Sequence, residues 1–227
     1  MKLNIWVIAM LIIVLAMFAV GGALFSQMPA QMASHWNAAG EADGTISRFW
    51  GMFLFPIISL GLLGLFLIIP RIDPLRANIQ KFKSYYYGFI VVFLVYFFYV
   101  YILSLLWNLD LRFNMTRALM PAIGVLFLVV GLMMLKAKRN FFIGIRTPWT
   151  LSSDEVWNRT HKLGGRLFIA VGIISAILGA FLSEIAIWVM LGMVLATGLF
   201  SIVYSYAIFH KLEKEGKVTL VPHNLRK

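Results

Sequence analysis

The 227-residue chain has no cysteine, and only 13% of its residues are charged. Without thiols there is no disulfide framework, no thiolate zinc site and no cysteine nucleophile. The shortage of charge excludes an ordinary soluble domain, in which about 25% of residues are charged. Also missing is the alternation of apolar and polar positions that marks membrane β-strands, since runs such as Ile5 to Val20 and Phe89 to Leu106 do not alternate. The long apolar runs carry no ionisable residue away from their ends. That counts against ion-coupled transport and intramembrane hydrolysis, both of which use buried acids, bases or nucleophiles. No internal repeat or low-complexity segment is evident.

What is present is apolar: 61% of the residues are hydrophobic, and the mean hydropathy is +0.87. Six runs, at about residues 4–25, 49–70, 85–107, 117–135, 167–183 and 185–209, are long enough to cross roughly 30 Å of hydrocarbon as helices. The sequence thus predicts an all-α, polytopic membrane protein with a bundle of six transmembrane helices. The first run is longer than a signal-peptide core and has one Lys before it, so it reads as a retained span. The fifth and sixth runs meet at Ser183-Glu184-Ile185 and predict a tight helical hairpin with Glu184 in water at its tip.

Charge sets the expected orientation. With the N-terminus inside, Lys2, Arg71, Arg76, Lys81, Lys83, Lys136, Lys138, Arg139, Arg146, Arg159, Lys162, Arg166, Lys211, Lys214, Lys217, Arg226 and Lys227 fall in the cytoplasm, leaving Arg48, Arg112 and Arg117 outside. Both termini are therefore expected to be cytoplasmic. The net charge of +11 reads as topology, with no direct nucleic-acid partner. The connecting segments are too short for a further soluble domain. Tyr85-Tyr86-Tyr87 reads as an interfacial anchor and Tyr96 to Tyr101 as helix packing, while Gly61, Gly64, Gly192 and Gly198 read as sites of close helix contact.

Two loops depart from this pattern. The outer one runs from Met28 through Pro29, His35-Trp36-Asn37-Ala38-Ala39-Gly40 and Asp43-Gly44. Asn-x-x-Gly and Asp-Gly are turn chemistry, and predict an ordered turn on the membrane with Trp36 as an anchor. The sharper alternative makes His35, Asn37 and Asp43 a polar recognition surface. One His with one or two carboxylates at no defined spacing is a poor ligand set, so neither metal nor other cofactor is expected.

The inner loop contains Gly144-Ile145-Arg146-Thr147-Pro148-Trp149-Thr150-Leu151 and runs on to Arg166. Ser152-x-x-Glu155 is a capping box that predicts a short interfacial helix from about Asp154, between spans four and five. Trp157, His161 and Gly164 then share one face, against the bundle or in the headgroup layer. Pro148 predicts an extended stretch over Arg146 to Thr150. Arg146 beside two Trp can bind lipid phosphate, stack on a ring or tie loop carbonyls together, and the structural role is favoured.

The inner stretch, followed by Glu155-Val156-Trp157, resembles the signature of the SdpI family of bacterial membrane immunity proteins. The outer segment resembles the domain of unknown function that often forms the N-terminal part of such proteins. With the six-span layout, the resemblance covers essentially the whole chain. It implies a two-helix unit over residues 1–70 and a four-helix unit over residues 71–227, integrated in one bundle in a bacterial plasma membrane. It also implies resistance to a secreted peptide toxin that collapses the membrane potential, with retention of a winged-helix repressor at the inner face. Carried onto this sequence, the inner positions are Gly144, Arg146, Thr147, Pro148, Trp149, Thr150 and Trp157, to which the shared helix face adds His161. The basic tail from Lys211 to Lys227 departs from the pattern and is expected to meet anionic headgroups.

Two other classes compete. An uncoupled transporter or flippase would use Arg146 and the Trp residues on a headgroup. A membrane enzyme would use His35 with Asp43, or His161 with Glu155. No nucleophile, metal set or phosphate cradle is recognisable, so no catalysis is expected.

Overall fold

A computed structural model describes residues 4–218. Lys2 and the tail beyond Val218, including Arg226 and Lys227, lie outside the described residues. The elements are α1 (Ile5–Leu24), β1 (Gln31–Trp36), β2 (Ala42–Ser47), α2 (Arg48–Ile72), α3 (Arg76–Gln80), α4 (Lys83–Asn108), α5 (Met115–Met134), α6 (Pro148–Ser152), α7 (Asp154–Phe181) and α8 (Ser183–Lys214). Six helices (α1, α2, α4, α5, α7 and α8) are long and apolar enough to cross a membrane. The chain is a multi-pass, all-α membrane protein with one small hairpin.

Asparagines start two of the spans. Asn4 accepts from the Trp6 amide at 3.1 Å, and Asn114 accepts from the Arg117 amide at 2.8 Å, each satisfying a first-turn donor. The prolines inside α2 and α5 (Pro56, Pro70 and Pro121) are tolerated because neighbouring groups in a helix bundle can satisfy the backbone they free.

The spans pack in two groups of three, α1 with α2 and α4, and α5 with α7 and α8, with α4 against α5 between them. The first group has a large aromatic core in which Tyr86 is 1% and Tyr87 is 9% exposed. The Tyr cluster is therefore not a uniform interfacial belt: only Tyr85 faces outward, while the Tyr86 hydroxyl donates to the Phe66 carbonyl at 2.9 Å. The second group is built on glycine. A Cβ at Gly124 would lie 2.5 Å from the Gly172 carbonyl oxygen, and one at Gly131 would lie 2.5 Å from that of Gly165. These seven-residue steps let the backbones of α5 and α7 touch. The expected contact glycines are different ones: a Cβ at Gly61, Gly64, Gly192 or Gly198 would meet nothing within 4 Å. Composition reveals small residues, but the facing helix decides which of them matter.

The outer loop is an antiparallel β-hairpin rather than a turn lying flat. Its register pairs Gln31 with Ser47, Ala33 with Thr45, His35 with Gly44 and Trp36 with Ala42, with irregularities on either side of His35. The reversal is made by Asn37 to Gly40: the Gly40 amide donates to the Asn37 carbonyl at 2.9 Å, and Gly40 has φ +83°, which suits a residue without Cβ. Asp43-Gly44, expected as a turn, is strand. Gly44 opposes His35, whose Cβ would lie 3.0 Å from any Cβ placed there.

The inner loop also departs from expectation. Pro148 to Ser152 form a helix, because proline at the first helical position has its φ preset and lacks an amide that would be unpaired anyway. Thr147 is extended, as expected, and with Thr150 it closes a capping box. The cap of the next helix is Ser153, not Ser152, and α7 runs unbroken from Asp154 into the fifth span. The short helix between spans four and five is therefore α6.

Candidate functional site

The expected site residues form two clusters at opposite ends of the bundle. At the hairpin end, the His35 ring nitrogen Nδ1 and Asp43 Oδ1 are 2.5 Å apart on the exposed face. Asn37 does not join them. Its side chain accepts from the Glu41 amide at 3.1 Å and holds the reversal. Pro29 contributes a carbonyl, which accepts from Arg48 Nε at 3.3 Å. Trp36 meets the Trp107 ring edge-on at 5.7 Å, and the Arg112 guanidinium lies 3.7 Å from the Trp107 ring centroid on α4.

Two asparagines that the sequence reading missed fix the hairpin to the helices. The Asn108 side chain at the end of α4 acts as a piece of strand, accepting from the Ala33 amide at 2.8 Å and donating to the Ala33 carbonyl at 3.1 Å. Asn114, the cap of α5, donates to the Ala39 carbonyl at 2.7 Å. Gly40 backs directly onto Asn114, where a Cβ would clash. The hairpin thus spans the junction between the two helix groups. Beside it, a hollow of about 660 Å³ has a mixed lining, polar at Gln31, Thr45, Asn108 and Arg112 and apolar at Met28 and Trp107.

At the other end, Gly144, Thr147, Thr150, Trp157 and His161 converge. Trp157 is fully buried, stacks on His161 with centroids 3.9 Å apart, and donates from Nε1 to the Ala137 carbonyl at 3.0 Å. His161 Nε2 accepts from the Ile145 amide at 3.0 Å while Nδ1 lies 2.9 Å from the Trp157 carbonyl. That pattern requires the neutral ring with its proton on Nδ1. Gly144, at φ +107°, lies against the His161 ring with no room for a Cβ. Thr150 Oγ1 donates to the Ile145 carbonyl at 2.9 Å, and Thr147 Oγ1 lies 3.0 Å from Ser205 Oγ of α8.

Pro148 and Arg146 are exposed. Arg146 Nη1 donates to the Phe141 carbonyl at 2.9 Å, which is the carbonyl tie among its three readings. Trp149 is half-buried and edge-on to Tyr206 at 5.1 Å. Glu155 is on the surface, paired with Arg159 at 2.6 Å. His161 and Glu155 therefore do not form an acid–base pair, because both nitrogens of the ring are committed to backbone.

Three further residues hold this loop. Buried Asn140 accepts from the amides of Phe142 at 2.9 Å and Ile143 at 2.6 Å, and donates to the carbonyls of Lys138 at 2.8 Å and Ile143 at 3.0 Å. Asp73, 2% exposed, accepts from the Leu75 amide at 2.6 Å and the Phe141 amide at 2.9 Å. Arg139 joins Asp154 at 2.7 Å and the Leu151 carbonyl at 2.7 Å. Their signal in the sequence is faint: single polar residues just outside apolar runs, with partners up to 68 positions away.

Comparison with known proteins finds a separate match over each cluster. Residues 136–205 match the SdpI/YfhL protein family, and residues 12–60 match a domain of unknown function, DUF1648. The chain is 26% identical over 202 residues to the immunity protein SdpI of Bacillus subtilis (strain 168), an alignment covering 89% of this chain and 95% of that protein. No solved structure matches significantly.

Proposed function

We propose that this chain, a six-span membrane protein joining a DUF1648 region to an SdpI/YfhL region, is an immunity and signal-receptor protein that gives its cell resistance to a secreted peptide toxin. The observation that carries the reading is its near end-to-end correspondence with the Bacillus subtilis immunity protein. The distribution of Lys and Arg supports a plasma-membrane orientation with the hairpin outside and both termini cytoplasmic. Toxin engages the hairpin end, where Asn108 and Asn114 join it to α4 and α5. The glycine contacts of α5 continue to α7, whose inner end carries Trp157 and His161. Toxin shifts the bundle only if it binds one arrangement more tightly than another. Phe141, Phe142 and Arg146, all exposed beside the motif, then form the surface that retains a winged-helix repressor.

The test is survival of a Bacillus subtilis strain lacking its own immunity protein, challenged with the toxin that protein meets. The wild-type chain is expected to protect, and Asn108→Ala to protect less at a matched membrane level. Failure of the wild type to protect defeats the immunity reading. Toxin-dependent appearance of the repressor in the membrane fraction tests the signalling half, and a repressor that stays soluble refutes it.

A further inference from the structure

The boundary between the two helix groups is not closed on its lipid-facing side. An open, almost wholly apolar hollow of about 380 Å³ is lined by Trp6, Ser84, Tyr85, Gly88, Val92 and Leu132, among others. A second of about 230 Å³, lined by Val92, Tyr96, Tyr99, Ala122 and Val125, follows it along α4. They share Val92 and form one trough between α4 and α5. At its far end the Tyr99 hydroxyl crosses to the Ala118 carbonyl at 3.0 Å. At its mouth Lys136 Nζ lies 5.7 Å from the Tyr85 ring centroid.

We propose that this trough binds an anionic phospholipid, with one acyl chain along α4 and the phosphate at Lys136. Its shape suits an alkyl chain: the two hollows run in line along α4 from Ser84 to Tyr99, roughly 22 Å at 1.5 Å per residue, with an almost wholly apolar lining. Charge selects the headgroup: Lys136 stands at the mouth against Tyr85, and among the described residues it is in no ion pair. Ser84 adds a hydroxyl there. Basic sites between membrane helices at the charged end of a bundle suit anionic headgroups. The site is independent of the toxin reading.

Native mass spectrometry of the solubilised full chain, titrated with phosphatidylglycerol and phosphatidylcholine of identical acyl chains, tests this. The anionic lipid should bind about fivefold more tightly, the effect of one cation beside an anionic surface. Lys136→Gln should remove the preference, and Gly88→Leu should reduce binding of both lipids. A Cβ at Gly88 meets nothing within 4 Å, so the leucine enters the trough and not the core. Because the chain has no cysteine, Gly88→Cys also permits the folded protein to be blocked with a bulky maleimide, with the same expected loss. Equal binding of the two lipids by the wild type, or unchanged binding after the block, overturns the proposal. So does displacement by inorganic phosphate at the lipid's concentration, which would reduce the site to a bare anion contact. A Gly88→Cys disulfide dimer would place a second copy over the trough and equally overturn it.

Discussion

Asn140, outside the motif, holds as much of the inner loop as Thr150 within it. Its side chain serves two amides and two carbonyls, and each such group left buried and unpaired costs about 1–3 kcal/mol. Because two of the four groups are only part-buried and can turn to water, Asn140→Ala should destabilise the loop by at least about 2–3 kcal/mol, measured as faster amide exchange over residues 140–147 with α1 and α2 unchanged. Unaltered exchange would mean that the loop is held by the Arg139 and Asp73 contacts alone. His161 depends on the same economy of partners. Its stacking on Trp157 follows from an i, i+4 spacing visible in the sequence. Its acceptance of the Ile145 amide does not, because that donor reaches it through the left-handed bend at Gly144. His161→Phe keeps the stack and removes the acceptor, so it should loosen residues 143–147 while leaving α7 intact. Exchange rates at Ile145 check this, and protection equal to wild type would show that the amide needs no ring nitrogen.

Among the elements, the closest fit is between α5 and α7, where backbone meets backbone at Gly124–Gly172 and Gly131–Gly165. Gly172→Leu forces a side chain into that contact and should cost at least 1–3 kcal/mol, the range for overpacking. Gly61→Leu, on a face with nothing within 4 Å, should be neutral or slightly stabilising, because glycine is about 1 kcal/mol worse than alanine in a helix. Comparing thermal unfolding of the two variants in one detergent settles whether packing or propensity governs; an equal drop would contradict the glycine interface. The six helices were legible because uncharged runs of about 20 residues have no other stable home. Their ends were only partly so: capping chemistry marks a helix start at about Asp154, but not that this helix and the fifth span are one unbroken α7, and hydropathy does not show that α8 runs on to Lys214. The hairpin was legible only as turn chemistry, because His35, Gly44 and the bulges around them break the alternation that marks a strand. Pro148 misled for a similar reason, since one residue reads as a breaker or as a first helical position according to whether Thr147 caps it.

At the scale of the molecule, the two clusters are separated by the length of the bundle, and any shared role passes through the junction of the helix groups. The hairpin is tied to both sides of that junction by Asn108 and Asn114. The inner loop is tied across it by Asp73 to Phe141 and by Asn78 to Arg139, the latter at 2.9 Å. With an even number of spans, both described ends and the motif loop share one side, and the hairpin holds the other. The proposed orientation puts that shared side in the cytoplasm, where Lys and Arg tend to be retained. The absence of cysteine makes this directly measurable with single-cysteine variants at two exposed positions. Glu41→Cys at the hairpin should react with a membrane-impermeant maleimide in intact cells, while Ser152→Cys at the end of α6 should react only after permeabilisation. Neither change touches a transmembrane contact, so labelling reports position and not damage. The reverse pattern would place the hairpin inside the cell, where a secreted toxin cannot meet it, and would remove the physical basis for reading the outer cluster as the receptor face.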